Sequence, residues 1–202
     1  MLDSIARPLK NRLLHPVASR FAARVNPNAI TLASALFGLL AAVAVSQGRF
    51  DLGILGWALN RILDGLDGAV AREGERQTDF GGYIDIIADF TVYAAIPIGV
   101  AIHFATAAAW LATSVMLATF YVNSASWMYL AALLEKRSAG AGKAEEETSI
   151  TMPDALVGGT ETLLLYSAFL ALPALALHIF WLTTILTAVS ILQRVSWAVR
   201  FL

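Results

Sequence analysis

The sequence predicts an all-α integral membrane protein with six transmembrane helices, and three observations support this prediction. First, 58% of the residues are hydrophobic and 14% are charged, whereas soluble proteins average roughly 45–50% apolar and about 25% charged residues. Second, the apolar residues form long segments, each close to the ~20 residues that a helix needs to cross a bilayer. Third, Lys and Arg collect in alternate connections, as their preference for the cytoplasmic side predicts.

The predicted spans follow one another with short connections and form a single membrane domain over residues 1–202. In chain order they cover residues 30–47, 52–72, 81–103, 107–134, 156–177 and 179–199. Basic residues lie before the first span, after the second, between the fourth and fifth, and at the end of the chain. Both termini are therefore expected in the cytoplasm. Because the chain has no cysteine, disulfides and thiol chemistry are excluded.

Residues 1–25 precede the first span and mix leucines with basic residues. This pattern predicts an amphipathic helix at the membrane surface, with its cations over anionic headgroups. A plain cytoplasmic arm is the alternative. Pro27 ends this segment, because proline cannot continue a helix interior.

Two pairs of aspartates interrupt the apolar pattern of the second and third spans. Asp64 and Asp67 lie three residues apart, and Asp85 and Asp89 lie four apart, so each pair shares one helix face. Ionisable groups in a membrane helix are costly and by default indicate a functional site. Two antiparallel neighbouring helices can bring the two faces together.

Four carboxylates in one confined pocket repel one another unless cations bind or some carboxylates are protonated. A set of oxygen ligands without His or Cys favours a hard cation such as Mg²⁺ or Mn²⁺. Such a set can also bridge two ions, an arrangement used in phosphoryl chemistry. Nearby glycines suit close helix packing, which is our interpretation of Gly65. We expect Gly68 and Gly81 to leave room for a phosphate group instead.

Residues 64–89 resemble the signature of the CDP-alcohol phosphotransferases, D-x(2)-D-G-x(2)-A-R-x(8)-G-x(3)-D-x(3)-D. Every fixed position of this pattern is matched, by Asp64, Asp67, Gly68, Ala71, Arg72, Gly81, Asp85 and Asp89. The resemblance implies that the four aspartates hold two divalent ions, with Asp89 also acting as general base on the acceptor hydroxyl. It further implies donor-binding roles for Pro27, Asn28, Ala29, Ile30, Gly68, Ala71, Arg72, Thr78 and Gly81.

The family resemblance implies an enzyme of phospholipid biosynthesis. The expected reaction transfers a phosphatidyl group from CDP-diacylglycerol to a polar alcohol and releases CMP. Transfer from another CDP-linked alcohol to a diacylglycerol-type acceptor is the alternative within the family. We expect a homodimer in contact with membrane lipids, no nucleic-acid partner, and a location in a bacterial inner membrane with the active site facing the cytoplasm.

A divalent-cation transporter is the alternative from a different class, and it predicts acidic residues spread across the membrane depth. Here all four aspartates cluster at one side. A non-catalytic scaffold would have lost a carboxylate, and none is missing. Outside the signature, Glu161 suits either a helix cap or an acceptor contact. Arg137 and Arg194 suit either an anionic acceptor or the membrane edge.

Overall fold

The computed structural model describes residues 12, 14–22, 24–137 and 156–202. All regular structure within these residues is helical. The helices are α1 (Pro27–Ser46), α2 (Phe50–Glu73), α3 (Asp79–Phe104), α4 (Ala107–Lys136), α5 (Gly159–Ala171) and α6 (Ala176–Phe201). A short 3₁₀ helix, Pro173–Leu175, joins α5 to α6.

Four helical segments in the described part of the chain are long and apolar enough to cross a membrane. They are α1, α3, α4 and the 3₁₀ helix together with α6. The remaining two predicted spans differ for separate reasons. Helix α2 has 24 residues but carries acidic and basic side chains in its second half, and α5 has only 13 residues. Length and composition therefore support four of the six predicted spans, and six crossings stay a prediction.

The fifth predicted span, 156–177, is interrupted in the structure. Helix α5 ends at Ala171, and Leu172 adopts φ −125° and ψ 67°, outside the helical region. The cause is Pro173, because a proline disfavours the helical conformation of the residue before it. The chain then resumes as α6 three residues earlier than the sequence predicted.

The predicted N-terminal arm is only partly visible. Residues 1–11, 13 and 23 lie outside the described residues, whereas 14–21 are helical. Within this segment Val17 and Phe21 are exposed, while Ala18 is buried against the protein. Residues 14–21 of the arm are therefore helical, and an amphipathic helix over the whole of residues 1–25 stays a prediction.

Polar side chains cap the first turns of α1 and α3. Asn26 accepts a hydrogen bond from the Asn28 amide at 3.0 Å, and Pro27 occupies the first position of α1. Thr78 accepts from the Gly81 amide at 3.0 Å and so caps α3. These caps satisfy amides that have no partner inside the helix. The cap of α3 therefore fixes where the segment that carries Asp85 begins.

Helix α1 is the support on which the two aspartate-bearing helices pack. Both α2 and α3 lie along α1, whereas their backbones scarcely approach each other. The close approach depends on glycines. A Cβ atom at Gly56 of α2 would lie 3.0 Å from the Phe37 carbonyl oxygen, and one at Gly99 of α3 would lie 2.5 Å from the Ala42 carbonyl oxygen. Small residues at these crossings are typical of membrane helices.

Replacing Gly99 with alanine is expected to weaken the α1–α3 crossing. The added methyl group would overlap the backbone of Ala42, so the helices must shift. Overpacking costs about 1–3 kcal/mol and alanine returns about 1 kcal/mol of helix preference, so we expect a net loss of about 1 kcal/mol. Unfolding in mild detergent measures it. The exposed Ala118 of α4 supplies a control, since Ala118→Val should have little effect. A Gly99→Ala protein as stable as the wild type would contradict the close crossing.

Candidate active site

The structure brings the four predicted aspartates together at the ends of α2 and α3 nearest their connecting loop, 74–78. The carboxyl groups of Asp64 and Asp89 lie close together, on either side of the Arg61 guanidinium. Asp85 lies within electrostatic range of Asp67. Because the helices run in opposite directions, the first aspartate of one pair meets the second of the other. The two acidic faces therefore line one cleft, whose back wall is α1.

Asp67 is the most enclosed of these carboxylates, with 5% of its surface exposed. Its Oδ2 atom accepts a hydrogen bond of 2.6 Å from the Thr31 hydroxyl of α1. Its Oδ1 atom accepts one of 2.5 Å from the Gly68 amide. Hydrogen bonds to a charged acceptor are among the stronger ones in proteins. Helix α1 therefore fixes the direction of the Asp67 carboxylate through Thr31. Nothing in the sequence indicated this role for Thr31.

Arg61 lies among the carboxylates and contacts two of them. Its Nη2 atom donates to Asp89 Oδ1 at 2.7 Å, and its Nη1 atom lies 3.7 Å from Asp64 Oδ2. Only 10% of the Arg61 side chain is exposed. The guanidinium therefore offsets part of the negative charge of the cleft. Its position one helical turn before Asp64 was the only signal in the sequence.

The Arg61 guanidinium is itself held on several sides. Nε donates to Asn60 Oδ1 at 2.7 Å, and Nη1 donates to the Tyr93 hydroxyl at 3.0 Å. The guanidinium carbon lies 4.8 Å from the ring centre of Trp57 and 5.1 Å from that of Tyr93. Such placement over aromatic rings stabilises a cation. Arg61 is thus a well-located charge rather than a mobile one.

Further hydrogen bonds connect this group to α1 and α5. The Asn60 amide donates to the carbonyl oxygen of Ser34 at 2.8 Å and to its hydroxyl at 2.9 Å. Asn60 therefore joins α2 to α1. The Tyr166 hydroxyl of α5 donates to the Tyr93 carbonyl at 2.6 Å. Four helices therefore share the network that ends at Asp89.

The predicted donor-binding residues fall into two groups. At the mouth of the cleft, a Cβ atom at Gly81 would lie 3.1 Å from the Thr78 hydroxyl and 3.2 Å from Asn28 Oδ1. On α2, a Cβ atom at Gly68 would lie 3.2 Å from Arg72 Nη1. Each glycine thus lies so close to a polar side chain that a Cβ atom would be crowded there.

The remaining predicted donor contacts differ in exposure. Ala29 is exposed and Ala71 is partly buried. Pro27 is buried, and Ile30 packs in an apolar cluster with Val70. The side chain of Ile30 therefore stabilises the start of α1, and a contact to substrate at this position would involve the backbone.

A second open cleft, of about 440 Å³ and lined by none of the four aspartates, lies beside the end of α2. It is lined by Arg12, His15, Ala69, Arg72, Glu73 and Glu75. One wall carries a contact of 3.7 Å between His15 Nδ1 and Glu73 Oε1. Arg72, the predicted phosphate contact, therefore faces a space between the N-terminal helical segment and α2.

Three residues outside the signature have definite contacts. Glu161 Oε2 accepts from the Gly158 amide at 3.0 Å, which supports the capping interpretation. Arg137 donates to the Leu202 carbonyl at 2.9 Å. Arg194 is 7% exposed and donates through Nη1 to Asn123 Oδ1, while its Nε atom is buried without a hydrogen-bond partner.

The aspartate cleft has the ligand chemistry for Mg²⁺ or Mn²⁺. Within the described residues, no three acidic, His or Cys side chains converge closely enough to enclose an ion by themselves. Like charges repel, and Arg61 draws Asp89 to its own side at 2.7 Å. An all-carboxylate set on two separate helices still fits a hard cation that takes other oxygens from water or a phosphate.

Replacing Thr31 with valine is expected to destabilise the cleft. Valine keeps the shape but removes the 2.6 Å hydrogen bond to the buried Asp67 carboxylate. A hydrogen bond to a charged group contributes about 1.5–3 kcal/mol, so the free energy of unfolding should fall by about 2 kcal/mol. Unfolding in mild detergent checks this. Thr31→Ser keeps the hydroxyl and is the control. Equal stability of the two variants would show that the hydrogen bond contributes nothing.

Comparison with known proteins places this architecture. The chain is 35% identical over 180 residues to the inner membrane protein YnjF of Escherichia coli, covering 86% of this chain and 84% of that one. It is 36% identical over 83 residues to the archaetidylinositol phosphate synthase of Methanothermobacter thermautotrophicus, covering 41% of this chain and 42% of that one. The four long apolar helices and the first relative together support an integral membrane protein.

A solved structure shares the fold. The phosphatidylinositol phosphate synthase of Mycobacterium tuberculosis with CDP-DAG bound superposes with a TM-score of 0.70 at 21% identity, covering 92% of each chain. Another structure of that synthase contains manganese and citrate, with a TM-score of 0.70 at 20% identity, covering 91% of this chain and 87% of that one. The model of the CDP-alcohol phosphatidyltransferase family matches residues 24–192. The chain therefore belongs to the CDP-alcohol phosphatidyltransferase family.

Proposed function

We propose that the protein transfers a phosphatidyl group from CDP-diacylglycerol to a polar alcohol, releasing CMP, in phospholipid biosynthesis. The observation that carries the proposal is that Asp64 and Asp67 of α2 face Asp85 and Asp89 of α3, with Arg61 in contact with both helices. Membership of the family gives the reaction type. The CDP-DAG bound to the Mycobacterium tuberculosis synthase supports the choice of donor.

Each side chain of the cleft has a proposed role in this reaction. Two divalent ions held by the four aspartates would neutralise the charge that develops on the CMP leaving group. Asp89 takes the proton of the acceptor hydroxyl. The hydroxyl oxygen attacks the phosphorus that carries the lipid, and the bond from this phosphorus to the oxygen of CMP breaks. Arg72 is a fixed cation suited to phosphate oxygens. Thr78, Gly81 and residues 27–30 border the space for the nucleotide.

The proposal includes a single domain of six membrane crossings, with α2 and α5 completing the set. The aspartate ends of α2 and α3 lie beside Arg72 and Arg76, and basic residues favour the cytoplasmic side. The cleft and both termini would then face the cytoplasm of a bacterium. The helical segment 14–21 would lie on the membrane with Val17 and Phe21 toward lipid. The homodimer that the family resemblance implies remains part of the proposal.

Arg194 favours an acceptor that carries negative charge. It is buried, and none of the ion pairs in the described part of the chain involves it. A buried charge without a countercharge is costly, and the neutral Asn123 amide offsets only part of that cost. A phosphate group on the acceptor alcohol would supply the missing acceptor atoms. Transfer from another CDP-linked alcohol to a diacylglycerol is the second candidate, and it gives Arg194 no such role.

The position of the carboxylates disfavours a divalent-cation transporter. A transport path requires ligands at successive depths, yet all four aspartates lie near the loop 74–78. Farther along α3, Val92, Ile96 and Val100 are fully buried in an apolar core. The four aspartates are therefore clustered at one end of α2 and α3, beside an apolar core.

Purified protein in liposomes with radiolabelled CDP-diacylglycerol, Mg²⁺ and a panel of alcohols should release CMP. Asp89→Asn should reduce the rate by at least about 100-fold, because an amide cannot accept the proton. The exposed Asp51 lies near the other end of α2, so Asp51→Asn should retain wild-type activity. CMP release unchanged in Asp89→Asn would exclude the base assignment, and no release with any alcohol would exclude the reaction.

Arg194→Gln should raise the KM for a phosphate-bearing alcohol by about tenfold or more, since an ionic hydrogen bond contributes about 1.5–3 kcal/mol. The KM for CDP-diacylglycerol should stay within about threefold, because the donor binds elsewhere. Steady-state CMP release with each substrate varied separately measures both. The exposed Arg200 on the same helix gives the control, Arg200→Gln. Equal acceptor KM values in wild type and Arg194→Gln would contradict an anionic acceptor at this residue.

A further inference from the structure

Arg61 belongs to none of the signature positions, yet it contacts aspartates on both sides of the acidic cleft. Its guanidinium reaches both helices that bear the aspartates, at 2.7 Å from Asp89 and 3.7 Å from Asp64. Both residues are proposed metal ligands. Arg61 and a divalent cation therefore act on the same carboxylates.

We propose that Arg61 is a positioning residue that holds the Asp89 carboxylate in its working direction and sets how strongly the aspartates attract a divalent cation. The inference rests on the proposed function of the cleft. It assigns Arg61 two effects that can be measured separately. One is geometric and acts on Asp89, and the other is electrostatic and acts on the whole cluster.

The geometric effect follows from how rigidly Arg61 is held. Its Nε and Nη1 atoms are engaged by Asn60 and Tyr93, which leaves Nη2 directed at Asp89 Oδ1. Asn60 is fixed in turn by two hydrogen bonds to Ser34 of α1. Helix α1 therefore holds the direction of the Asp89 carboxylate through the side chains of Asn60 and Arg61. A base must lie within hydrogen-bond reach of the proton that it takes, so this direction matters for the rate.

The electrostatic effect follows from burial. The Arg61 side chain is 10% exposed, and water screens buried charges poorly. A fixed positive charge within 4 Å of two carboxylates reduces their attraction for a further cation. The same charge lessens the repulsion among the aspartates when no metal is bound. Arg61 should therefore weaken metal binding while stabilising the metal-free protein.

Three variants separate these effects. Arg61→Gln removes the charge, and Arg61→Lys keeps the charge but loses the planar fork of donors. Tyr93→Phe leaves Arg61 in place and removes one of its fixed contacts. Arg49→Gln is the matched control, because Arg49 begins the same helix, is exposed and pairs with Asp51 away from the cleft.

The first measurement is binding of Mn²⁺ to the substrate-free protein, by calorimetry or electron paramagnetic resonance, together with thermal unfolding in EDTA. Arg61→Gln should bind Mn²⁺ at least fivefold more tightly than wild type. It should also unfold at a lower temperature in EDTA and gain more from added Mn²⁺. Arg61→Lys and Arg49→Gln should stay within about threefold of the wild-type affinity. Unchanged or weaker Mn²⁺ binding in Arg61→Gln would overturn the electrostatic part.

The second measurement is kcat and KM for CMP release. Arg61→Lys and Tyr93→Phe should lower kcat at least fivefold and leave the KM for CDP-diacylglycerol within about threefold, because the base is misdirected while the donor still binds. A wild-type kcat in Arg61→Lys, or a rise in KM alone, would overturn the geometric part. If Arg61→Gln fails to fold, Arg61→Lys and Tyr93→Phe still decide this part. The Mn²⁺ measurement requires no substrate, so it tests Arg61 even where the proposed reaction fails.

Discussion

The concentration of four carboxylates between two adjacent helices of a membrane protein is the constraint on which the rest of the structure depends. Such a cluster is unfavourable in an apolar environment unless positive charge and hydrogen-bond donors surround it. The chain supplies both from residues already in the bundle. Arg61 provides a cation, and the Thr31 hydroxyl and the Gly68 amide satisfy Asp67. The acidic cleft is therefore built into the fold rather than added to its surface.

Helix α1 has the central position because it supports both sides of this cleft. Through Ser34 and Thr31 it contacts polar groups of α2, and through Ala42 it meets α3 at Gly99. The aromatic side chains Trp57, Tyr93 and Tyr166 fill the space below the aspartates and connect α5 to the same core. Packing and polar contacts thus serve one purpose, which is to fix the two acidic faces at a common depth.

The sequence predicts the parts of this arrangement that depend on local spacing. Asp64 with Asp67, and Asp85 with Asp89, share helix faces whatever the tertiary fold, and Pro27 lies where a helix begins. The network around Arg61 could not be predicted in this way. Its partners lie 28 residues away at Asp89 and 32 at Tyr93, so the contacts exist only once three helices have packed. Pro173 could have indicated that α5 ends before it, but the apolar residues continue past the proline, and the span was predicted to reach residue 177.

The backbones of α2 and α3 do not pack closely against each other, so side chains alone close the gap between the two helices. Its depth and register are stiff, because Ser34, Thr31 and Gly99 secure each helix to α1. Its width is set by side chains that cross from one helix to the other, above all Arg61, which contacts Asp89 and Tyr93. A gap closed by side chains instead of backbone contacts can change its width by side-chain rotation alone, while both helices stay in place.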